Sequence, residues 1–398
     1  MKRRWFGIGF AVGMIVTLVW FSYGVGVRMP VSQWLGRDMT APREIFLDAV
    51  EIAQYEYVEP VDLQEMVYAG INGMIRSLDR HSQFLDPDEF EEMRVDASGQ
   101  FGGLGIEIGI QDGMLTIIRP MEETPAQAAG LLPGDRIVRI GEFFTRGISL
   151  HEAVQRLRGE PETQVTLTIL RDANANFFDV TLTRAVIKIW GVEESRFAKD
   201  KIAYVRISDF QENTPQDLRQ ALERLKVHGM EGLILDLRRN PGGLLEVAVD
   251  VASLFLKPGL EVVSTRGRRE DQNLNFVSEA EYPYLGFPMA VLVDGGSASA
   301  SEIVAGALQD HNRATLLGTQ TYGKGSVQTV IPLKDGSALR LTTSRYFTPA
   351  GRGISDQGIL PDMITEDISR KKGKAAQMIL GSSNDPTLIQ AVKLLKAL

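Results

Sequence analysis

Asp294-Gly295-Gly296-Ser297-Ala298-Ser299-Ala300-Ser301-Glu302 is the stretch that decides the fold of this 398-residue chain. The apolar run Met289–Val293 precedes it and Ile303–Leu308 follows it. That order predicts a buried strand, a small-residue turn, and a helix over Ser299–Asp310. A serine at such a junction stands at a helix N-terminus, where unpaired backbone N–H groups and the positive dipole end can hold an oxyanion. Taken alone, Ser299-x-x-Glu302 is also the spacing of a capping box, and Ser299 is then a helix N-cap.

Downstream lies Tyr322-Gly323-Lys324-Gly325-Ser326-Val327-Gln328. A free lysine is a poor base at neutral pH, but desolvation lowers its pKa by several units. A buried neutral lysine can take the proton of a serine hydroxyl. Gln328, four positions on, shares a face with Lys324 in a strand or a helix and is placed to hold the amine. The plain alternative is a surface lysine in a tight turn. A P-loop is excluded, because the glycine spacing is wrong and no Ser or Thr directly follows the lysine. Upstream, Asp236-Leu237-Arg238-Arg239-Asn240-Pro241-Gly242-Gly243 ends a predicted strand in a turn whose glycines expose N–H groups. Such a turn is either a second oxyanion donor or an ordinary strand-to-helix connection.

The chain has no cysteine and four histidines, His81, His151, His228 and His311. Thiolate chemistry and disulfide scaffolds are therefore excluded. His311 lies on the same helix as Ser299, roughly 18 Å away at the standard rise, so it cannot be the base and is expected to end that helix. The other three read as structural or surface residues. No H-E-x-x-H occurs, so no metal site is expected.

Further outward, strands are predicted at Val205–Ile207, Gly232–Leu237, Thr315–Leu317, Ser326–Ile331 and Leu339–Ser344. Helices are predicted at Pro215–Val227, Gly243–Leu256 and Pro386–Leu398. The alternation implies an α/β core. Residues 265–286 read as a polar surface loop, and Arg370–Lys374 as a solvated linker. A compact module of short strands spans Leu104 to Thr183, with a hairpin at Asp112-Gly113 and a helix at Leu150–Arg158. It opens on Phe101-Gly102-Gly103-Leu104-Gly105-Ile106, whose glycines can turn successive N–H groups toward an anion such as a peptide carboxylate. An extended peptide can add to the edge of such a sheet. Before it, Arg43–Arg94 reads as helical, broken at Pro60, with Leu85-Asp86-Pro87-Asp88 supplying an N-cap.

Lys2, Arg3 and Arg4 precede a charge-free run from Trp5 to Val27, long enough as a helix to span about 30 Å of hydrocarbon. The cationic flank keeps the N-terminus cytoplasmic, and the chain beyond Val27 is exported. A retained anchor is the expectation, with a cleaved signal segment as the alternative. Lys and Arg total 43 against 51 Asp and Glu, a net charge of −8, and no basic block tracks a phosphate backbone. No nucleic-acid partner is expected.

These motifs carry two resemblances. Residues 99–185, with the Gly102–Gly105 loop and Gly134-Asp135, resemble a PDZ domain. That resemblance implies carboxylate binding by Gly102, Gly103, Leu104 and Gly105. It implies an apolar pocket at Leu104 and Ile106, lined by the 150–158 helix. Ser299 in S-A-S-A-S-E, Lys324 in G-K-G-S-V-Q and the N-P-G-G turn resemble the C-terminal processing (tail-specific) peptidases, as do Ile207–Phe210, Tyr346–Gly351 and Gly358–Asp362. The similarity runs from about residue 40 to 362.

The family resemblance implies a serine endopeptidase with a Ser–Lys dyad on a ClpP/crotonase-like α/β core, carrying an inserted PDZ domain and a helical N-terminal segment. Ser299 matches the nucleophile, Lys324 the general base and Gln328 the residue that orients it. Ala300 N–H and Gly243 N–H, with Gly242 as the alternative glycine, match the oxyanion hole. Arg158 is a candidate link between the PDZ domain and the core.

The implied organisation is an anchor or signal at 1–27, a tether at 28–42 and a helical region with core elements at 43–98. The PDZ domain spans 99–185, the protease core 186–368, and a linker with a final helix 369–398. No cofactor is expected. The expected partners are envelope proteins with apolar C-terminal tails, a second copy of the chain in a homo-oligomer, and an envelope adaptor protein as a candidate. The membrane is reached through the N-terminal segment, and the location is periplasmic or otherwise extracytoplasmic. The final helix carries Leu388, Ile389, Val392 and Leu395 on one stripe. Such a stripe usually packs on its own domain, while the family resemblance implies that terminal helices mediate dimerisation. The alternative function is a membrane-anchored PDZ scaffold that binds C-termini without cleaving them.

Overall fold

The computed structural model describes residues 40–171, 176–281, 283–355, 357–365 and 380–398. The apolar run at 5–27, most of the 28–42 tether and the basic stretch at 370–374 lie outside them. Among the described residues, no helix is long and apolar enough to cross a membrane. The chain divides into two units, with the boundary between Gly73 and Met74. The first contains α1 (Thr40–Glu56) and most of α2 (Leu63–Arg76), separated at Pro60. Within it, a Cβ on Gly70 would sit 3.4 Å from the Phe46 ring, so the glycine admits the aromatic side chain.

The second unit opens with β1 (Gln83–Leu85) and α3 (Pro87–Ser98). Asp86 caps α3 by accepting from the Glu89 N–H at 2.8 Å, while the Glu89 carboxylate accepts from the Asp86 N–H at 3.1 Å. Gly99, at φ 66°, ends the helix in the left-handed conformation. Next come β2 (Gln100–Gly103) and the PDZ sheet. The sheet holds β3 (Ile106–Gln111), β4 (Met114–Pro120), the short α4 (Pro125–Ala128), β5 (Arg136–Ile140), β6 (Phe143–Phe144), α5 (Leu150–Leu157), β7 (Gln164–Arg171) and β8 (Asn176–Thr183). Its strand order is β3-β4-β5-β7-β8, with β6 on β5. Asp112 and Gly113 both have positive φ between the paired ends Gln111 and Met114, the backbone of a two-residue hairpin. Leu104, Ile117, Ile137, Ala153, Leu167 and Ile169 fill the core of this sheet. The Gly134-Asp135 motif has a structural job. Buried Asp135 holds Arg171 at 2.7 Å and the Leu132 N–H at 2.9 Å. β9 (Ala185–Lys188) then returns to pair antiparallel with β2 and closes the insertion.

The core continues as β10 (Val192–Lys199), β11 (Ile202–Ile207), α6 (Thr214–Val227), β12 (Gly232–Asp236), α7 (Leu245–Ser253), β13 (Glu261–Gly267), β14 (Asn275–Val277), β15 (Met289–Val293), α8 (Ala300–Asp310), β16 (Thr315–Gly318), β17 (Ser326–Pro332), β18 (Ala338–Phe347), β19 (Met363–Ile364) and α9 (Pro386–Ala397). One sheet runs β10-β11-β12-β15-β16-β19 and is parallel except for β10. Its central strands β12 and β15 are buried at every position, as expected of a parallel sheet covered on both faces. The second sheet runs β1-β18-β13-β14, with β17 also on β18. Pairing of Gln83–Leu85 with Ala338–Arg340 makes residues before the PDZ domain part of the core, so the PDZ domain is an insertion within it.

One expectation changes. The 265–286 stretch is not simply a loop. It holds the end of β13 and all of β14, with Phe276 opposite Val263, and Ser278 is buried. Polar composition concealed an edge strand that needs only one apolar face. The stripe on α9 packs on its own domain, as such a stripe usually does. Leu388, Val392 and Leu395 pack on Ile202, Tyr204, Ile234, Ala290, Leu292 and Leu317 of their own sheet. Only Ile389 of that stripe is exposed.

Candidate active site

β15 delivers the chain into the small-residue turn, and hydrogen bonds to the neighbouring strand end fix its path. Ser297 Oγ donates to the Leu237 carbonyl at 2.8 Å, and the Ala298 N–H and Ser301 Oγ both donate to the Asn240 carbonyl at 3.0 Å. So constrained, Ser299 adopts φ 53° and ψ −113°, a strained conformation for a residue with a Cβ. Strain of this kind is held at sharp strand-to-helix turns that push a side chain out of the sheet. The capping box is built through backbone groups. The Ser299 N–H donates to Glu302 Oε2 at 2.8 Å, and the Glu302 N–H donates to the Ser299 carbonyl at 2.9 Å. At the start of α8, the Ala300 N–H has no hydrogen-bond partner among the described residues.

The N-P-G-G turn lies directly against this elbow. A Cβ on Gly242 would stand 2.8 Å from the Ser299 Cβ and 3.0 Å from the Ala300 nitrogen. Only glycine permits that approach. The Gly242 N–H donates to Asn240 Oδ1 at 2.9 Å, and the Gly242 carbonyl accepts from the Phe210 N–H at 2.9 Å. The Leu244 N–H donates to the Phe210 carbonyl at 2.9 Å. The Gly243 N–H is left without a partner among the described residues. Gly242 therefore supplies the close approach, and Gly243 the unused donor.

Glu302 joins this elbow to the lysine loop. Its fully buried carboxylate accepts from Thr321 Oγ1 at 2.5 Å, the Gly323 N–H at 2.7 Å and the Lys324 N–H at 2.9 Å, besides the Ser299 N–H. Burial raises its pKa, and those four bonds oppose the rise. Lys324 itself is half-buried. Burial pushes its ammonium pKa down and the Arg340 charge pushes the same way, while Glu302 pushes back. The net displacement is downward, toward a neutral amine.

A serine elbow and a lysine with a depressed pKa thus share one buried carboxylate, and the two free amide donors lie in the elbow and in the turn packed against it. The family model of peptidase family S41 matches residues 201–365, and the PDZ model matches residues 92–170. A carboxy-terminal-processing protease from Bartonella bacilliformis is 43% identical over 342 residues, covering 85% of this chain and 78% of that protein. The chain belongs to the carboxy-terminal-processing proteases. A carboxyl-terminal-processing protease from Synechocystis sp. is 38% identical over 319 residues, or 78% of this chain and 74% of that one. The solved structure of a photosystem II D1 C-terminal processing protease covers 88% of this chain and all of its own, at 29% identity and a TM-score of 0.50. The protein is therefore a serine-type peptidase with a PDZ domain on a mixed α/β, ClpP/crotonase-like core.

In this protease Gln328 does not hydrogen-bond Lys324. Gln328 Nε2 donates to Thr342 Oγ1 at 2.8 Å and to Ser326 Oγ at 3.2 Å. The same-face expectation fails for two reasons. Lys324 lies in the loop before β17, and the β17–β18 register shifts between Val327 and Gln328, which sets Gln328 opposite Thr342. Gln328 Oε1 is buried without a partner, an acceptor available to an amine. His81 accepts from Arg80 Nε at 3.1 Å, and burial, then the charges of Lys324 and Arg80, push its pKa down. His311 caps α8 as expected and bonds the Glu261 carbonyl at 2.7 Å. His228 similarly ends α6, and His151 sits 3.3 Å from Glu92.

The protease's PDZ loop departs from expectation at one residue. Leu104 is buried in the PDZ core, so its side chain fills the domain and does not lie open for a ligand. Ile106 and Ile108 stay half-buried along β3, the strand beside α5. Gly105 has φ 73°, and a Cβ there would lie 2.3 Å from the Thr124 Cβ. A Cβ on Gly103 would lie 2.8 Å from the Phe101 ring, and the Gly102 carbonyl accepts from the Gly159 N–H at 3.1 Å. Arg158 stacks 4.7 Å above the Phe101 ring, a contact internal to the PDZ domain.

Proposed function

We propose that the protein is a Ser–Lys endopeptidase that takes the apolar C-terminal tails of exported proteins on its PDZ domain and cleaves the chain at Ser299. The observation that carries this reading is the Glu302 carboxylate, which holds the Ser299 N–H and the Lys324 N–H at 2.8 and 2.9 Å. Nucleophile and base thus share one fixed support.

Neutral Lys324 accepts the proton of the Ser299 hydroxyl as the oxygen attacks the scissile carbonyl. The developing oxyanion is held by the Ala300 and Gly243 N–H groups. Preorganised donors of this kind are each worth about 100- to 1,000-fold in rate. Lys324 returns the proton to the leaving amine, the acyl-enzyme forms, and water releases the acyl group by the same steps with roles reversed. Gln328 Oε1 accepts from the amine of Lys324 when the dyad is aligned.

The exported, anchored location rests on the 5–27 run behind its cationic flank, and places the substrates in the cell envelope. A homo-oligomer and an adaptor protein complete the expected partners. Arg158, at the groove end of α5, is the candidate relay from tail to core. Ser299→Ala and Lys324→Ala should each abolish cleavage of a tailed substrate with melting temperatures near that of the wild type. Tail binding with no cleavage by the wild type would instead indicate a scaffold. Full activity in either variant would refute the dyad.

A further inference from the structure

A second buried charge cluster lies at the other end of the N-P-G-G turn. Arg238 is 2% exposed, and Asp236 and Asp385 are both fully buried. The Arg238 guanidinium is shared between the two carboxylates. Its Nε donates to Asp236 Oδ1 at 2.9 Å, and its two terminal nitrogens donate to Asp385 Oδ1 at 3.1 Å and Oδ2 at 2.6 Å. Tyr204 Oη donates to Asp236 Oδ2 at 2.8 Å. Asp385 is also the N-cap of α9, accepting from the Thr387 and Leu388 N–H groups at 3.1 and 3.2 Å and from the Gly381 N–H at 2.9 Å.

Burying two carboxylates and a guanidinium costs so much desolvation that a hydrophobic replacement often matches it in stability. The α9 stripe already packs on the sheet through Leu388, Ala391, Val392 and Leu395. Asp385 caps the helix and the stripe packs it, and neither contact involves Arg238. What the cluster adds is geometric. Arg238 is fixed from both sides at the start of a turn in which Arg239 takes φ 59° and Asn240 holds Ala298, Ser301 and Gly242. We infer that Asp385 is a positioning residue for the oxyanion turn: through Arg238 it clamps residues 238–243 so that the Gly243 N–H stays aimed beside Ser299. The inference deepens the peptidase reading and depends on it for its kinetic test.

The test is Asp385→Asn, which keeps a good N-cap but removes the charge that fixes Arg238. Expected are a kcat on a tailed substrate reduced by about tenfold or more with KM nearly unchanged, the split that marks loss of an interaction made only in the transition state. Amide hydrogen exchange at 238–244 should quicken at the same time. Val392→Ala, which loosens α9 without touching Arg238, should lower the melting temperature and leave kcat unchanged. If Asp385→Asn does not fold, Tyr204→Phe removes one hydroxyl from the far side of the cluster and should reduce kcat in the same direction. Wild-type kcat in folded Asp385→Asn, or in Tyr204→Phe when it stands in, overturns the inference, as does an equal loss of kcat in Val392→Ala. Those results leave the peptidase reading intact when the wild type cleaves in a Ser299-dependent manner. If the wild type does not cleave at all, the peptidase reading fails, and exchange at 238–244 in Asp385→Asn still decides the clamp. Unchanged exchange overturns it.

Discussion

Two buried carboxylate centres, one at the serine elbow and one at the start of the N-P-G-G turn, are satisfied in opposite ways. Asp236 and Asp385 share one guanidinium, with Arg238 at 2.5 and 2.6 Å. Glu302 is held by one hydroxyl and three backbone N–H groups, and no cation bonds it among the described residues. Under the proposed mechanism the difference reflects the job of each centre. A turn that only presents an N–H can be fastened by a full ion pair. A lysine that must stay neutral cannot, because a directly paired carboxylate would favour its charged form. Glu302 grips the backbone of Lys324 and leaves its amine free of an ion pair, and burial with the Arg340 charge wins over the Glu302 charge.

Breaking the neutral-donor centre should have the largest effect. Glu302→Ala frees the 299 and 323–324 backbone at once, and kcat should fall roughly 100-fold or more, on the scale of losing an oxyanion donor. Because the Glu302 charge raises the Lys324 pKa, any residual activity should show its acid limb at lower pH than the wild type. Gly242→Ala should come close behind. Its Cβ would fall 2.8 Å from the Ser299 Cβ at φ 114°, so labelling by a serine-directed reagent should drop with kcat. Arg340→Gln sharpens the comparison from the lysine side. Removing a charge that depresses the Lys324 pKa raises it, so the acid limb of kcat/KM should move to higher pH with the plateau nearly kept. Thr321→Val removes one of four bonds to Glu302 and should cost only a few-fold in kcat.

Much of this was legible in the sequence. The run Met289–Val293, the small residues and the apolar helix specify strand, elbow and helix locally, and the Asp112-Gly113 and Asp86-Pro87 signals specify a hairpin and a cap. Contacts that the fold makes at a distance were not legible. The S-x-x-E spacing announces a bond between Ser299 and Glu302. It says nothing of Thr321, Gly323 and Lys324, which share the same carboxylate. Arg238 and Asp385 lie 147 positions apart, with no pattern to join them. Periodicity placed Gln328 with Lys324, and a register shift between Val327 and Gln328 undid it. An apolar stripe such as that on α9 looks the same in sequence whether a partner or the helix's own sheet covers it.

The proposed Ser–Lys dyad requires Lys324 to act as a neutral amine. Its most direct test is an NMR titration of the Lys324 Nζ in the Ser299→Ala protein, with Arg340→Gln as the companion variant. A transition below the ordinary lysine range that moves upward when Arg340 is removed is the expected result. A Lys324 that titrates at or above the ordinary lysine value would contradict it.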